Sequence, residues 1–129
     1  DIIPFVESRY SVFTDRDHRA IAGMSMGGGQ TLNIGLSHLD VFGWVAAVAP
    51  APNTKPAATL IPNSAALKQL KLLWLGGGNR DPLMRINLGV HTFLLEKGIP
   101  HVWRLDGNGH DPVVMAHNFY NFAQLLFKE

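Results

Sequence analysis

Gly23-Met24-Ser25-Met26-Gly27-Gly28-Gly29 sits between two segments of different periodicity. Before it, Arg19-Ala20-Ile21-Ala22 is a short apolar run that reads as a buried strand over residues 19–23. After it, Gln30-Thr31-Leu32-Asn33-Ile34-Gly35-Leu36 carries Leu32 and Leu36 at helical spacing, with Ile34 near the same face. The spacing predicts a helix to about Ser37, broken by His38-Leu39-Asp40. A G-x-S-x-G run between a strand and a helix is the setting of a nucleophile elbow. A serine hydroxyl is a weak nucleophile and must meet a base and a substrate at once. A sharp strand-to-helix turn achieves this by holding Ser25 in a strained backbone conformation. Gly23 and Gly27 are expected where the chain passes too close to itself for a Cβ. The helix N-terminus would favour negative charge on a substrate oxygen above Ser25. The plainer alternative is a glycine turn that only packs helix on strand, and the flanking elements weigh against it.

Downstream, residues 42–49 are continuously apolar, as in a strand covered on both faces. Pro50-Ala51-Pro52-Asn53-Thr54-Lys55-Pro56 is a loop by proline density, and residues 57–63 continue irregularly. Residues 64–70 suggest a short helix. Residues 71–75 form a third strand, closed by Gly76-Gly77-Gly78. Asn79-Arg80-Asp81-Pro82 is a turn, and 83–97 a helix with Leu83, Ile86, Val90, Phe93 and Leu94 at core spacing, stopped by Gly98. A fourth strand covers 100–105, a glycine-bearing loop 106–111, and a last helix 112–127 with Val113, Ala116, Tyr120, Ala123 and Phe127 as its candidate face. Trp74 and Trp103 fall inside strands and read as core. Upstream, residues 2–13 read as an amphipathic helix with Ile3, Val6, Tyr10 and Phe13 on one face, capped by Asp1. Strands alternating with helices argue a parallel α/β architecture with every strand C-terminus on one edge, where ligands bind.

The 129 residues suffice for one domain with a real core. At 47% hydrophobic and 16% charged residues the chain is globular, not disordered. A formal net charge of +1 makes no case for nucleic acid or an anionic membrane surface. The absence of cysteine excludes disulfides and thiolate metal sites. No apolar run approaches the ~20 residues of a transmembrane helix, and no stretch has the pattern of a signal peptide.

A nucleophilic serine needs a base, and the base an orienting acid. Polar residues just past successive strands supply a set in the order serine, acid, histidine. These are Ser25 after the first strand, Asp81 after the third and His110 after the fourth. Asp106 and Asp111 compete for the acid role, but a residue on a neighbouring strand's loop better reaches the side of the imidazole opposite the serine. Asp81 is also placed to serve its own turn or cap the next helix, and Asp111 to cap the last one. Among six histidines, His110 and His117 are seven apart and could share a helix face only if the last helix began before His110, and His91 and His101 have no carboxylate nearby in sequence. With no H-E-x-x-H, no metal site is expected. The other five histidines read as surface or satisfied groups. Gly76-Gly77-Gly78 lacks the Lys-Ser/Thr of a phosphate loop, and no dinucleotide fingerprint is present, so no cofactor is expected.

The runs GMSMGGGQTLNIGL, VAPAPNT, LLWLGGGNRD and GNGHD resemble the esterase-D-type α/β-hydrolases, closest to feruloyl esterases of carbohydrate esterase family 1. The likeness covers nearly the whole chain. It implies Ser25 as nucleophile, Asp81 as acid and His110 as base. It also implies a serine esterase acting on hydroxycinnamoyl or acetyl esters of plant cell-wall polysaccharide, without cofactor, and secreted. That fold places several strands before the elbow. Residues 1–129 are therefore expected to be the C-terminal portion of a single domain, with the N-terminal half as partner. Half of the oxyanion hole would be the Met26 N–H, the other half a loop after an early strand outside this chain. Losing one donor costs roughly 10²–10³ in rate. Residues 50–62, apolar and proline-stiffened, would either wall the acyl pocket or lie as plain surface. The competing expectations are a non-catalytic module of the same fold, separable by fluorophosphonate labelling, and an acyltransferase, separable by alcohol acceptors.

Overall fold

The computed structural model describes residues 1–128. Four strands, β1 (Ala20–Met24), β2 (Trp44–Val48), β3 (Leu72–Gly78) and β4 (Val102–Asp106), form one parallel sheet in the order β1-β2-β3-β4. Met24 pairs with Val48, Val48 with Gly76, and Gly78 with Asp106. The residues that follow each strand therefore share one edge.

Five helices accompany the sheet: α1 (Ile2–Arg9), α2 (Met26–Gly35), α3 (Ala57–Leu60), α4 (Met84–Glu96) and α5 (Pro112–Ala123). Side chains alternate along a strand, and the core divides accordingly. Val45, Ala47, Leu73 and Leu75 pack with Leu32 and Leu36 near α2 and with Val90 and Leu94 of α4. Trp44, Ala46 and Trp74 face the other way and pack with Phe122 of α5. β2 is buried at every position, which explains its unbroken apolar run. Each fully covered Leu or Val in it and its neighbours contributes about 1.5–3 kcal/mol over an exposed one.

The structure corrects several expectations. The third strand does not stop at Leu75 but runs through Gly76–Gly78. These glycines are strand residues whose missing side chains admit neighbours: a Cβ on Gly76 would strike Asn118 Oδ1, and one on Gly78 the carbonyls of Asn108 and Gly109. α5 buries Val114, Met115, Asn118 and Phe122, while Val113 and Tyr120 are exposed. The buried face is thus rotated from the one that apolar spacing suggests, and it includes a polar residue, Asn118. Asn118 is fully buried, accepting from Trp74 Nε1 (3.1 Å) and donating to Asp106 Oδ2 (3.1 Å) and the Val114 carbonyl (3.0 Å). α5 also ends at Ala123, so Phe127 lies outside it. The first helix stops at Arg9 and buries none of its residues, leaving Tyr10 and Phe13 exposed. Ser11, Val12 and Thr14 are weak helix formers. Residues 57–63 include the short α3, and 64–70 form a 3₁₀ turn, Ser64–Gln69, capped by Asn63. Ile34 is exposed rather than sharing the buried stripe of α2.

Candidate active site

Ser25 is the single residue between β1 and α2, at φ 55° and ψ −122°. A non-glycine residue in such a region costs about 1–3 kcal/mol and persists only when its surroundings over-determine it. Three backbone hydrogen bonds do so here. Ser25 N–H donates to the Val48 carbonyl (2.9 Å), and its carbonyl accepts from Gly29 N–H (3.1 Å) and Ala51 N–H (3.0 Å). Gly23 is required by close approach: a Cβ there would strike the Gly27 carbonyl and come within 2.7 Å of Thr31 Oγ1. Gly28 faces the Val48 carbonyl in the same way, 2.8 Å from an added Cβ. Gly27, expected to be equally constrained, has nothing within 4 Å of an added Cβ.

The other two residues arrive from the loops after β3 and β4. His110 Nε2 lies 2.9 Å from Ser25 Oγ, and His110 Nδ1 lies 2.7 Å from Asp81 Oδ2. An ionised carboxylate only accepts, so Nδ1 carries the proton and Nε2 is left to accept from the serine hydroxyl. Asp81 is only 5% exposed. Its second oxygen accepts from Leu83 N–H at 2.7 Å, so it serves its own turn and faces the imidazole at once. The rival carboxylates are engaged elsewhere. Asp111 caps α5 through Val113 N–H (3.0 Å) and Val114 N–H (3.1 Å) and accepts from Gly109 N–H (3.1 Å). Asp106 accepts from Asn118.

Residues that sequence reasoning passed over hold these loops together. Asn79 N–H donates to the Asp106 carbonyl (2.9 Å) and Arg80 N–H to the Asn108 carbonyl (3.1 Å). The Arg80 guanidinium donates to the Gly107 carbonyl, 2.7 Å from Nε. Under the sheet, Asn87 Nδ2 donates to the Gly76 carbonyl (2.7 Å). Polar residues flanking a glycine strand were the available signal, but their partners lie as far along the chain as Asn108 is from Arg80. Met26 begins α2, where the first turn's N–H groups have no acceptor within the helix. Its N–H is thus free in backbone terms to face an oxyanion beside Ser25.

Elsewhere, His91 Nδ1 and His101 Nε2 are 2.7 Å apart, and His101 Nδ1 donates to the Ile99 carbonyl (2.8 Å). His91 stacks on Trp103 at 4.2 Å. Burial, then the neighbouring His101, holds the His91 pKa below its ordinary value. Among the described residues, no three histidine or carboxylate side chains converge as metal ligands would. A depression of about 700 Å³, lined by Asp17, His18, Trp44, Lys71, Leu72 and Phe127, opens at the N-terminal ends of the strands. It is remote from Ser25, so convergent chemistry rather than volume marks the site.

A serine at a strand–helix elbow, hydrogen-bonded through histidine to aspartate on the C-terminal edge of a parallel sheet, defines the α/β-hydrolase class. Residues 1–88 match the family model for Esterase, described as "Putative esterase". The chain belongs to that esterase family. Solved structures agree. A ferulic acid esterase superposes with a TM-score of 0.83 at 28% identity, covering 99% of this chain and 59% of that one. A carbohydrate esterase family 1 ferulic acid esterase from the anaerobic fungus Anaeromyces mucronatus gives 0.82 at 29% identity, covering 98% and 50%. S-formylglutathione hydrolase from Staphylococcus aureus shares the fold, with a TM-score of 0.82 at 20% identity over 97% and 57%. The chain thus spans about half to three-fifths of the length of these proteins.

Proposed function

We propose that this chain carries the catalytic residues of a serine carboxylic-ester hydrolase. Ser25 is its nucleophile, His110 its base, Asp81 the orienting acid and Met26 N–H one oxyanion donor. The observation that carries the reading is the unbroken hydrogen-bond chain from Ser25 Oγ through His110 to the buried Asp81. His110 Nε2 takes the hydroxyl proton as Ser25 Oγ attacks the ester carbonyl carbon. Asp81 stabilises the imidazolium, and Met26 N–H donates to the oxyanion. His110 then returns the proton to the departing alkoxide, leaving an acyl-enzyme. Water attacks that ester with His110 as base, releasing the acid and restoring Ser25.

Similarity supports a reading of the substrate class. The Anaeromyces mucronatus enzyme has been solved in complex with ferulic acid at 27% identity to this chain. We assign hydroxycinnamoyl or acetyl esters of plant cell-wall polysaccharide, a substrate class that fits an extracellular setting. Residues 50–62 form a proline-stiffened wall suited to a flat aromatic acid.

The test is turnover of methyl ferulate and p-nitrophenyl acetate by the native full-length protein and by Ser25→Ala. A loss of at least about 10³-fold is expected. Equal turnover by both would remove Ser25 from the reaction, and with it the esterase reading.

A further inference from the structure

The peptide joining Ser25 to Met26 is held by its carbonyl, and its N–H lies in the first turn of α2, where N–H groups have no acceptor within the helix. The direction of that N–H depends on ψ of Ser25 and φ of Met26. Each torsion is restrained from the loop after β2. The Ser25 carbonyl accepts from Ala51 N–H (3.0 Å), and the Met26 carbonyl accepts from Asn53 Nδ2 (2.9 Å). Asn53 is itself held. Its carbonyl accepts from Asn33 Nδ2 (2.9 Å), and Asn33 Oδ1 accepts from Lys55 N–H (3.0 Å). Ala49, at φ 47°, turns the chain back across the elbow so that these contacts are reached. Gly29 leaves room for them: a Cβ there would strike Asn53 Oδ1 and lie 2.8 Å from Thr54 Oγ1.

We propose that Asn53 is a positioning residue for oxyanion binding, keeping the Met26 N–H aimed at the developing charge through the Met26 carbonyl. The inference rests on the esterase reading of Ser25. Two features separate this role from simple loop packing. Asn53 lies on the exposed surface, so its amide is not needed to fill a core. Its bond is also made to the first carbonyl after the nucleophile, in a segment whose Ser25 backbone is off its preferred basin. The bond that the Ser25 carbonyl accepts from Ala51 polarises the Ser25–Met26 peptide and strengthens its N–H as a donor, while the Asn53 bond to the Met26 carbonyl acts on the orientation of Met26. An acceptor at position 53 would do the reverse, repelling the Met26 carbonyl and adding negative charge near the oxyanion.

The experiment compares Asn53→Ala, Asn53→Asp and Asn33→Ala with wild type and Ser25→Ala in the native full-length protein. The readouts are kcat and KM on methyl ferulate, affinity for a boronate transition-state analogue, affinity for ferulate, and melting temperature. An interaction made only in the transition state lowers kcat and leaves KM unchanged. Asn53→Ala is expected to lose about 10–10² in kcat, less than the ~10²–10³ for removing a donor outright. Boronate affinity should fall in parallel, with KM and ferulate affinity within threefold. Asn53→Asp should lose more, and Asn33→Ala less, in the same direction. If Asn53→Ala keeps kcat within threefold, or raises KM alone, while Ser25→Ala is inactive, the positioning role is overturned and the esterase reading stands. If wild type and Ser25→Ala turn over alike, the esterase reading fails and takes this inference with it.

Discussion

Gly78→Ala tests whether the loops after β3 and β4 are held in register by close backbone approach. A Cβ at Gly78 would overlap the carbonyl groups of Asn108 and Gly109, which are backbone atoms with no rotamer to change. Restoring an ordinary carbon contact of about 3.5 Å requires the loop after β4 to withdraw by about 1 Å. His110 is the next residue along that loop, and its 2.9 Å approach to Ser25 Oγ would lengthen beyond hydrogen-bond range. A 1 Å misplacement of a reacting group costs about 10²-fold in rate, or about 2.7 kcal/mol of barrier. Overpacking adds a stability loss of about 1–3 kcal/mol. Gly77→Ala is the internal control. It lies on the same strand, but its added Cβ meets only Asn87 Nδ2 at 3.2 Å and Ala49 backbone at 3.8 Å. The assay is kcat/KM on methyl ferulate with melting temperatures for both variants. The reasoning is refuted if folded Gly78→Ala stays within threefold of wild type, or if Gly77→Ala is equally impaired.

Asp81→Asn keeps the acceptor for Leu83 N–H but presents an amide to His110 Nδ1, which drives the imidazole proton to Nε2 and blocks proton uptake from Ser25. A loss of about 10⁴ in kcat with little change in KM is expected, and initial rates showing under about tenfold loss would contradict it. The lowered pKa of His91 has a stability consequence. The folded state favours the neutral ring, so the unfolded chain binds more protons as pH falls below its value of about 6.5. The contribution is intact above that value and is lost as pH drops through the lower folded pKa. Melting temperatures from pH 8 to 5 should decline more steeply in wild type than in His91→Phe, and parallel curves would argue otherwise.

Much of the fold was legible because its signals are local. The apolar run of β2, the G-x-S-x-G between β1 and α2, and the proline-rich loop after β2 each depend on neighbours within a few residues. The errors fell where a distant contact overrode a local pattern. Gly76–Gly78 resemble a turn, yet they extend β3, where Asn118 and the Asn108–Gly109 backbone occupy the space that side chains on Gly76 and Gly78 would need. The buried face of α5 is not legible from apolar spacing because it includes Asn118, whose burial depends on Trp74 and Asp106 satisfying its amide. Gly27 was grouped with Gly23 by motif, although only Gly23 and Gly28 meet backbone.

By itself the sequence determined the alternation of strand and helix, the elbow, and the placing of Ser25, Asp81 and His110 just beyond three strands. Periodicity and turn chemistry act within one or two turns of chain, so they can be read from residue order. Only the tertiary structure decided which carboxylate faces His110, which face of α5 is buried, and which donors restrain the Ser25–Met26 peptide. Those outcomes depend on partners as far apart as Ser25 and His110, 85 residues along the chain. Sheet register brings such groups to within 3 Å of one another, and residue order carries no measure of that distance.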